Sequence, residues 1–213
     1  MSLDFIYLAS GSPRRRELLQ QIGVAFRVVG TSVDEAVRPA EVPAAYVERL
    51  AVAKADAGWA KADAGRTRSL DEADVPVLAA DTAVVLDGKV LGKPADRRDA
   101  EGMLRQLSGR THEVLTAIAL LTVNGLESRI CRSEVTFRSL AEEEIRDYWE
   151  TGEPADKAGA YAIQGRAAVF IADLRGSYSG VMGLPLFETA ELLSKAGVWH
   201  WPRPGQLSTG RLR

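Results

Sequence analysis

The stretch from Val75 to Leu86 constrains this chain most. Val77–Ala80 is small and apolar, Val84–Leu86 resumes the same character, and Asp81-Thr82 stands between them. A short apolar run rich in β-branched residues reads as a strand buried in a sheet. A charged carboxylate in such a place is costly unless it is paired, binds a metal or opens into a site. Ligands gather at strand ends in α/β sheets. Asp81 is therefore expected where the strand is interrupted, as a general base or a metal ligand. An aspartate that caps a turn is the other reading of the position.

The flanking pattern alternates strands and helices. Phe5–Ala9 is β-prone and leads through Ser10-Gly11-Ser12 to Pro13, with Leu18, Leu19 and Ile22 at helical spacing. Ser12 suits an N-cap and Pro13 a first helical position. Residues 25–29 read as a strand and 43–64 as an alanine-rich helix. Residues 65–75 form a polar stretch expected to be an exposed loop. Asp87-Gly88 and Asn124-Gly125 are hairpin-turn signals, the second lying between strands around 113–122 and 128–138. Asp96 is placed to cap a helix to about Leu107, and Ser139-x-x-Glu142 to open another to about Thr151. A strand over 167–172 and a helix over 184–196 complete the reading. The class is α/β or α+β with a mixed sheet. Residues 1–198 are expected to form a single domain and 199–213 an irregular tail.

Composition excludes several classes. The 213 residues are 46% hydrophobic with a net charge of −2, so nothing global attracts nucleic acid or a membrane surface. No apolar run reaches the roughly 18 residues of a membrane span. The first residues lack a signal peptide's basic and apolar regions. The single cysteine, Cys131, allows no internal disulfide. His112 and His200 have no partners at ligand spacing, which argues against structural zinc. A cytoplasmic protein is the expectation.

Pro13-Arg14-Arg15-Arg16 goes against local electrostatics, because three cations meet the positive end of a helix dipole. Free N–H groups with arginine forks make that end suited to phosphate. A solvated basic turn is the alternative. No Gly-Lys-Ser/Thr and no G-x-G-x-x-G follows, so neither a P-loop nor a dinucleotide fingerprint is present. Lys54, Lys93 after Gly92, and Lys157 are further candidate cations. Phosphoryl transfer needs such positioned charge.

The strings Ala9–Arg15 (ASGSPRR), Ala79–Thr82 (AADT), Gly92–Pro94 (GKP), Ser108–His112 (SGRTH), Gly152–Gly165 (GEPADKAGAYAIQG), and Gly176–Tyr178 (GSY) with Gly183–Pro185 (GLP) occur in this order. Together they resemble the Maf family over about residues 5–195. The resemblance implies a nucleoside triphosphate pyrophosphatase with an elongated mixed sheet, flanking helices and two lobes around a substrate cleft. It implies a cytoplasmic enzyme that uses a divalent cation such as Mg²⁺ or Mn²⁺ and often forms homodimers. Carried over by motif, Asp81 activates water, and Arg14 and Arg15 bind phosphates with Ser10 beside them. Lys54 and Lys93 neutralise the triphosphate. Glu35 is a further polar or metal-side group, which makes Asp81 and Glu35 the metal candidates.

The ASGSPRR, AADT and AIQG strings resemble the dTTP/UTP branch, with Arg14, Thr82 and Gln164 as its specificity positions. Glutamine carries both donor and acceptor groups, which suit a pyrimidine imide edge. The branch that resembles 7-methyl-GTP pyrophosphatases tends to have Trp in the first motif and Gln in place of Thr82. A nucleotide-binding regulator of septum formation with little turnover is the reading from a different class. Gly180 departs from the family pattern, which usually carries Asn there.

Overall fold

The computed structural model describes residues 5–64 and 75–199. Apart from Val75 and Trp199, the expected loop over 65–75 and tail over 199–213 lie outside them. The chain runs β1 (Ile6–Leu8), α1 (Pro13–Gln21), β2 (Phe26–Val28), α2 (Pro43–Ala64), β3 (Val77–Leu86), β4 (Lys89–Leu91), α3 (Arg97–Leu107), β5 (Thr111–Thr122), β6 (Gly125–Phe137) and α4 (Glu142–Glu150). It continues through short 3₁₀ turns to β7 (Ile171–Arg175), α5 (Tyr178–Met182) and α6 (Leu186–Lys195).

The described strands join one seven-stranded mixed sheet in the order β2-β1-β3-β5-β6-β7, with β4 folded back on β3. β1 runs parallel to β2 and β3, and the remaining pairs are antiparallel. The expected α/β class with an open mixed sheet and flanking helices is what forms. β3 is central, and successive side chains on a strand point to opposite faces. Val77, Ala79, Ala83 and Val85 pack with Val47, Ala51, Ala55 and Ala62 of α2. Leu78 and Ala80 pack with Leu18 and Leu19 of α1 and Leu192 and Leu193 of α6. Val84 and Leu86 enter a third cluster with Leu104, Phe137, Tyr148 and Tyr161.

α2 lies close on the sheet because Gly58 carries no side chain. A Cβ there would stand 2.7 Å from the Cβ of Ala9 and 3.0 Å from Val77 Cγ1. Asp87 (φ 51°) and Gly88 (φ 74°) take the left-handed backbone that a tight β3–β4 hairpin demands. Asp96 caps α3 by accepting the Asp99 N–H at 2.9 Å.

Several local expectations are corrected. β3 runs unbroken for ten residues, so Asp81 sits inside a central strand and not at its end. Thr122 pairs with Gly125, which makes Val123-Asn124 the turn and puts Gly125 in β6. α4 starts at Glu142 with Ala141 at the cap, and the Glu144 carboxylate accepts the Ala141 N–H at 2.9 Å. The Ser139 box does not form, because the Leu140 N–H bonds Ser108 Oγ at 2.8 Å and holds the chain extended past it. Of the strand expected over 167–172, Ile171 and Ala172 open β7, and residues 166–170 are a 3₁₀ turn. The Glu153 carboxylate takes the N–H groups of Arg166 (3.0 Å) and Ala167 (3.4 Å), in place of a neighbouring strand's carbonyls. α5 had no counterpart in the sequence reading.

Candidate active site

A cavity of about 600 Å³ opens above the middle of the sheet. One wall comes from the β1–α1 turn and α2, the other from the β4–α3 loop and residues 156–164. Ser10, Arg14, Arg15, Glu35, Lys54, Asp81, Thr82, Lys93 and Gln164 all line it, as does Lys157.

Strand periodicity sorts the two central residues. Asp81 lies on the α2 side and Thr82 on the α1 side of β3. On the α2 side, the stripe that buries Val47, Ala51, Ala55 and Gly58 also carries Lys54. Its Nζ lies 2.6 Å from Asp81 Oδ1 and 2.6 Å from Glu35 Oε1. Asp81 is 7% exposed. Burial raises its pKa above the usual aspartate value, against the pull of Lys54 and Arg15. Glu35 comes from the loop before α2 and its side chain is half exposed. Burial pushes its pKa up, but the Lys54 hydrogen bond and charge, with Lys93 and Arg15, leave it lowered overall. Tyr46 Oη donates to the Glu35 carbonyl at 3.1 Å. Arg49 grips the same loop through Glu41 (2.5 Å) and the Ala36 carbonyl (3.1 Å).

On the other side Arg15 is tied at each of its nitrogens. Nε donates to Gly183 O (2.8 Å), Nη1 to Ser10 Oγ (3.0 Å) and Nη2 to Thr82 Oγ1 (3.3 Å). Burial lowers its pKa, and Asp81 opposes the change. Arg14 and Lys93 line the cavity with no hydrogen-bond or ion-pair partner among the described residues. Lys157 pairs with its neighbour Asp156. The Gly159 N–H donates to Gly92 O at 3.0 Å, fastening the Lys93 and Lys157 loops together. Gln164 is exposed at the mouth, near Tyr161, Ala162 and Ile163.

Among the described residues no three acidic, histidine or cysteine side chains gather as a metal cage. Asp81 Oδ1 and Glu35 Oε1 both meet the Lys54 ammonium, and the second oxygen of each carboxylate is a donor suited to a Mg²⁺-like ion that would complete its shell with phosphate oxygens and water.

Sequence reasoning missed Thr116, Gly183, Tyr46 and Arg49. Thr116 was open to the argument used for Asp81, since it too is a polar residue inside the apolar run Val114–Leu121. Gly183 acts through its carbonyl, and Tyr46 and Arg49 through a loop whose path no local pattern records.

A cleft with Arg14 and Lys93 on its walls, unpaired among the described residues, and a buried aspartate held by Lys54 defines an α/β protein made to hold a polyanion. Residues 5–196 match the Maf family, described as Maf-like protein, and the chain belongs to that family. It is 55% identical over 204 residues to the dTTP/UTP pyrophosphatase of Aromatoleum aromaticum, covering 90% of this chain and 95% of that one. It is 54% identical to the dTTP/UTP pyrophosphatase of Nitrosospira multiformis (91% and 95%) and 50% identical to that of Hahella chejuensis (92% and 94%). The Ham1 protein structure of Staphylococcus aureus aligns with a TM-score of 0.41 and 16% identity, covering 64% of this chain and 72% of that one.

Proposed function

We propose that this chain hydrolyses dTTP and UTP to the nucleoside monophosphate and pyrophosphate. The observation that carries the reading is Asp81, buried and held by Lys54, in one cavity with Arg14, Arg15 and Lys93. Relatives at 50–55% identity that bear this activity in their names support it. Water attacks the α-phosphorus and gives its proton to Asp81, and the bond to the β-phosphate oxygen breaks. A carboxylate with a raised pKa is a better base than an ordinary one. Lys54 holds it ionised and oriented. Arg14 and Lys93 receive the phosphate chain without breaking any existing bond. Arg15 presents a fixed positive charge beside it. Gln164, at the mouth, reads the pyrimidine edge.

Asp81 and Glu35 would hold a divalent cation, Mg²⁺ or Mn²⁺. That ion supplies charge neutralisation on the phosphates. The reading extends to a cytoplasmic location and to a homodimer, whose mass light scattering on the purified chain measures. Among the described residues no helix is long and apolar enough to cross a membrane.

The test is pyrophosphate release across canonical triphosphates, modified pyrimidine triphosphates and 7-methyl-GTP, with Mg²⁺ and with Mn²⁺. Fastest turnover of dTTP and UTP is expected. A faster 7-methyl-GTP reaction would move the chain to the purine branch. Tight nucleotide binding without pyrophosphate would make it a regulator.

A further inference from the structure

Thr116 is 1% exposed and does not line the cavity. Its Oγ1 lies 2.7 Å from the Gly180 carbonyl oxygen and 2.9 Å from Thr82 Oγ1. A carbonyl only accepts, so the Thr116 proton points at Gly180. The Thr82–Thr116 bond must then run the other way, with Thr82 donating. That uses the only proton on Thr82 and leaves its oxygen to accept from Arg15 Nη2. One direction of donation satisfies the whole chain: Arg15 to Thr82, Thr82 to Thr116, Thr116 to Gly180.

A second route leads to the same guanidinium. Gly180 O also accepts the Gly183 N–H at 2.9 Å. Gly183 O in turn accepts Arg15 Nε at 2.8 Å. Thr116 therefore holds the turn whose carbonyl holds Nε, and through Thr82 it holds Nη2. We propose that Thr116 is a positioning residue that fixes the Arg15 guanidinium from beneath the cavity floor, and that the Thr82 hydroxyl links the two. Its catalytic consequence rests on Arg15 stabilising phosphate charge, as argued above.

Thr116→Val keeps the shape and branching of the side chain and removes the hydroxyl. Thr116→Ser keeps the hydroxyl. The first readout is independent of turnover. In ¹⁵N NMR a guanidinium bonded at all its nitrogens turns slowly and shows separate Nη signals. We expect Thr116→Val to merge the Arg15 signals and Thr116→Ser to keep them apart. Thr82→Val breaks the chain one link nearer Arg15 and should merge them too, whether or not Val at 116 folds. Arg15 signals unchanged in the Val variants overturn the proposal.

The second readout is kinetic. Thr116→Val should lower kcat/KM for dTTP by about tenfold to a hundredfold, the scale of a misplaced charge near the reacting group. Thr116→Ser should recover most of it. In an Arg15→Lys background Thr116→Val should cost little more, because coupled residues are not additive. Full additivity also overturns the proposal. A wild-type chain with separate Arg15 signals but no pyrophosphate release would refute the proposed activity and leave the positioning role supported.

Discussion

Lys54 Nζ stands 2.6 Å from Asp81 Oδ1, across 27 residues of sequence. A helix stripe and a strand face meet there, and the lysine's charge opposes the rise in pKa that burial imposes on the acid. Replacing Asp81 by Asn should reduce pyrophosphate release by about a hundredfold or more, while nucleotide binding and the folded spectrum persist. An unchanged rate would remove Asp81 from the mechanism.

The same substitution has a pH signature. Because burial raises the Asp81 pKa above 3.8, the folded chain holds that proton more tightly than the unfolded chain. The contribution of Asp81 to stability is complete below about pH 3.8 and is lost as pH rises through the folded value. The melting temperature of Asp81→Asn, compared with the parent, should therefore gain ground from about pH 4 toward pH 7. A gap that narrows over that range would contradict the assigned direction.

Arg14 and Arg15 are neighbours with different duties. Arg14 has no partner to lose, so Arg14→Ala should raise KM for dTTP about tenfold and leave the melting temperature alone. Arg15→Ala strips bonds from Ser10, Thr82 and Gly183. It should lower kcat and destabilise the chain by about 1.5–3 kcal/mol. Steady-state kinetics with thermal melts on both variants separate the two roles.

Gln164 is exposed and lines the cavity, with no bond to the Asp81–Lys54 pair among the described residues. Gln164→Ala should change the ratio of kcat/KM between dTTP and purine triphosphates more than it changes affinity for tripolyphosphate. Equal losses on every nucleotide would rule out a base-reading role.

Gly180 is buried, and a Cβ there would meet Cys131 Sγ and Ser177 Cβ at 3.1 Å each. A side chain at this position would require Cys131 and Ser177 to give way by a few tenths of an ångström. Gly180→Asn should destabilise the chain by about 1–3 kcal/mol, and adding Cys131→Ala should recover part of the loss. Urea unfolding of the single and double variants measures both effects.

What the sequence disclosed follows from what local pattern can encode. α2 was legible from end to end because its alanine-rich periodicity spans many turns. The Asp87-Gly88 hairpin and the Asp96 cap were legible because their chemistry is local. The 3₁₀ turn at 166–170 was hidden because the Glu153 carboxylate, 13 residues before Arg166, takes two of its N–H groups. Asp81 stood out as a charge in an apolar run. Its place within β3 could not be read, since the lysine that makes it tolerable arrives from α2. Of the site, the charged residues were visible as motifs. The Thr116 and Gly183 contacts were not, because they depend on a strand register and a carbonyl.

The opposite facing of Asp81 and Thr82 has a consequence for how this chain can vary. Loops that carry none of the cavity residues, such as the Val123-Asn124 turn, can lengthen without disturbing the chemistry. Within β3 the loss or gain of one residue would turn the acid toward α1 and the hydroxyl toward α2, breaking both attachments at once. Viable descendants of this sequence must therefore keep the residue count of that strand unchanged, whatever apolar side chains they exchange along it.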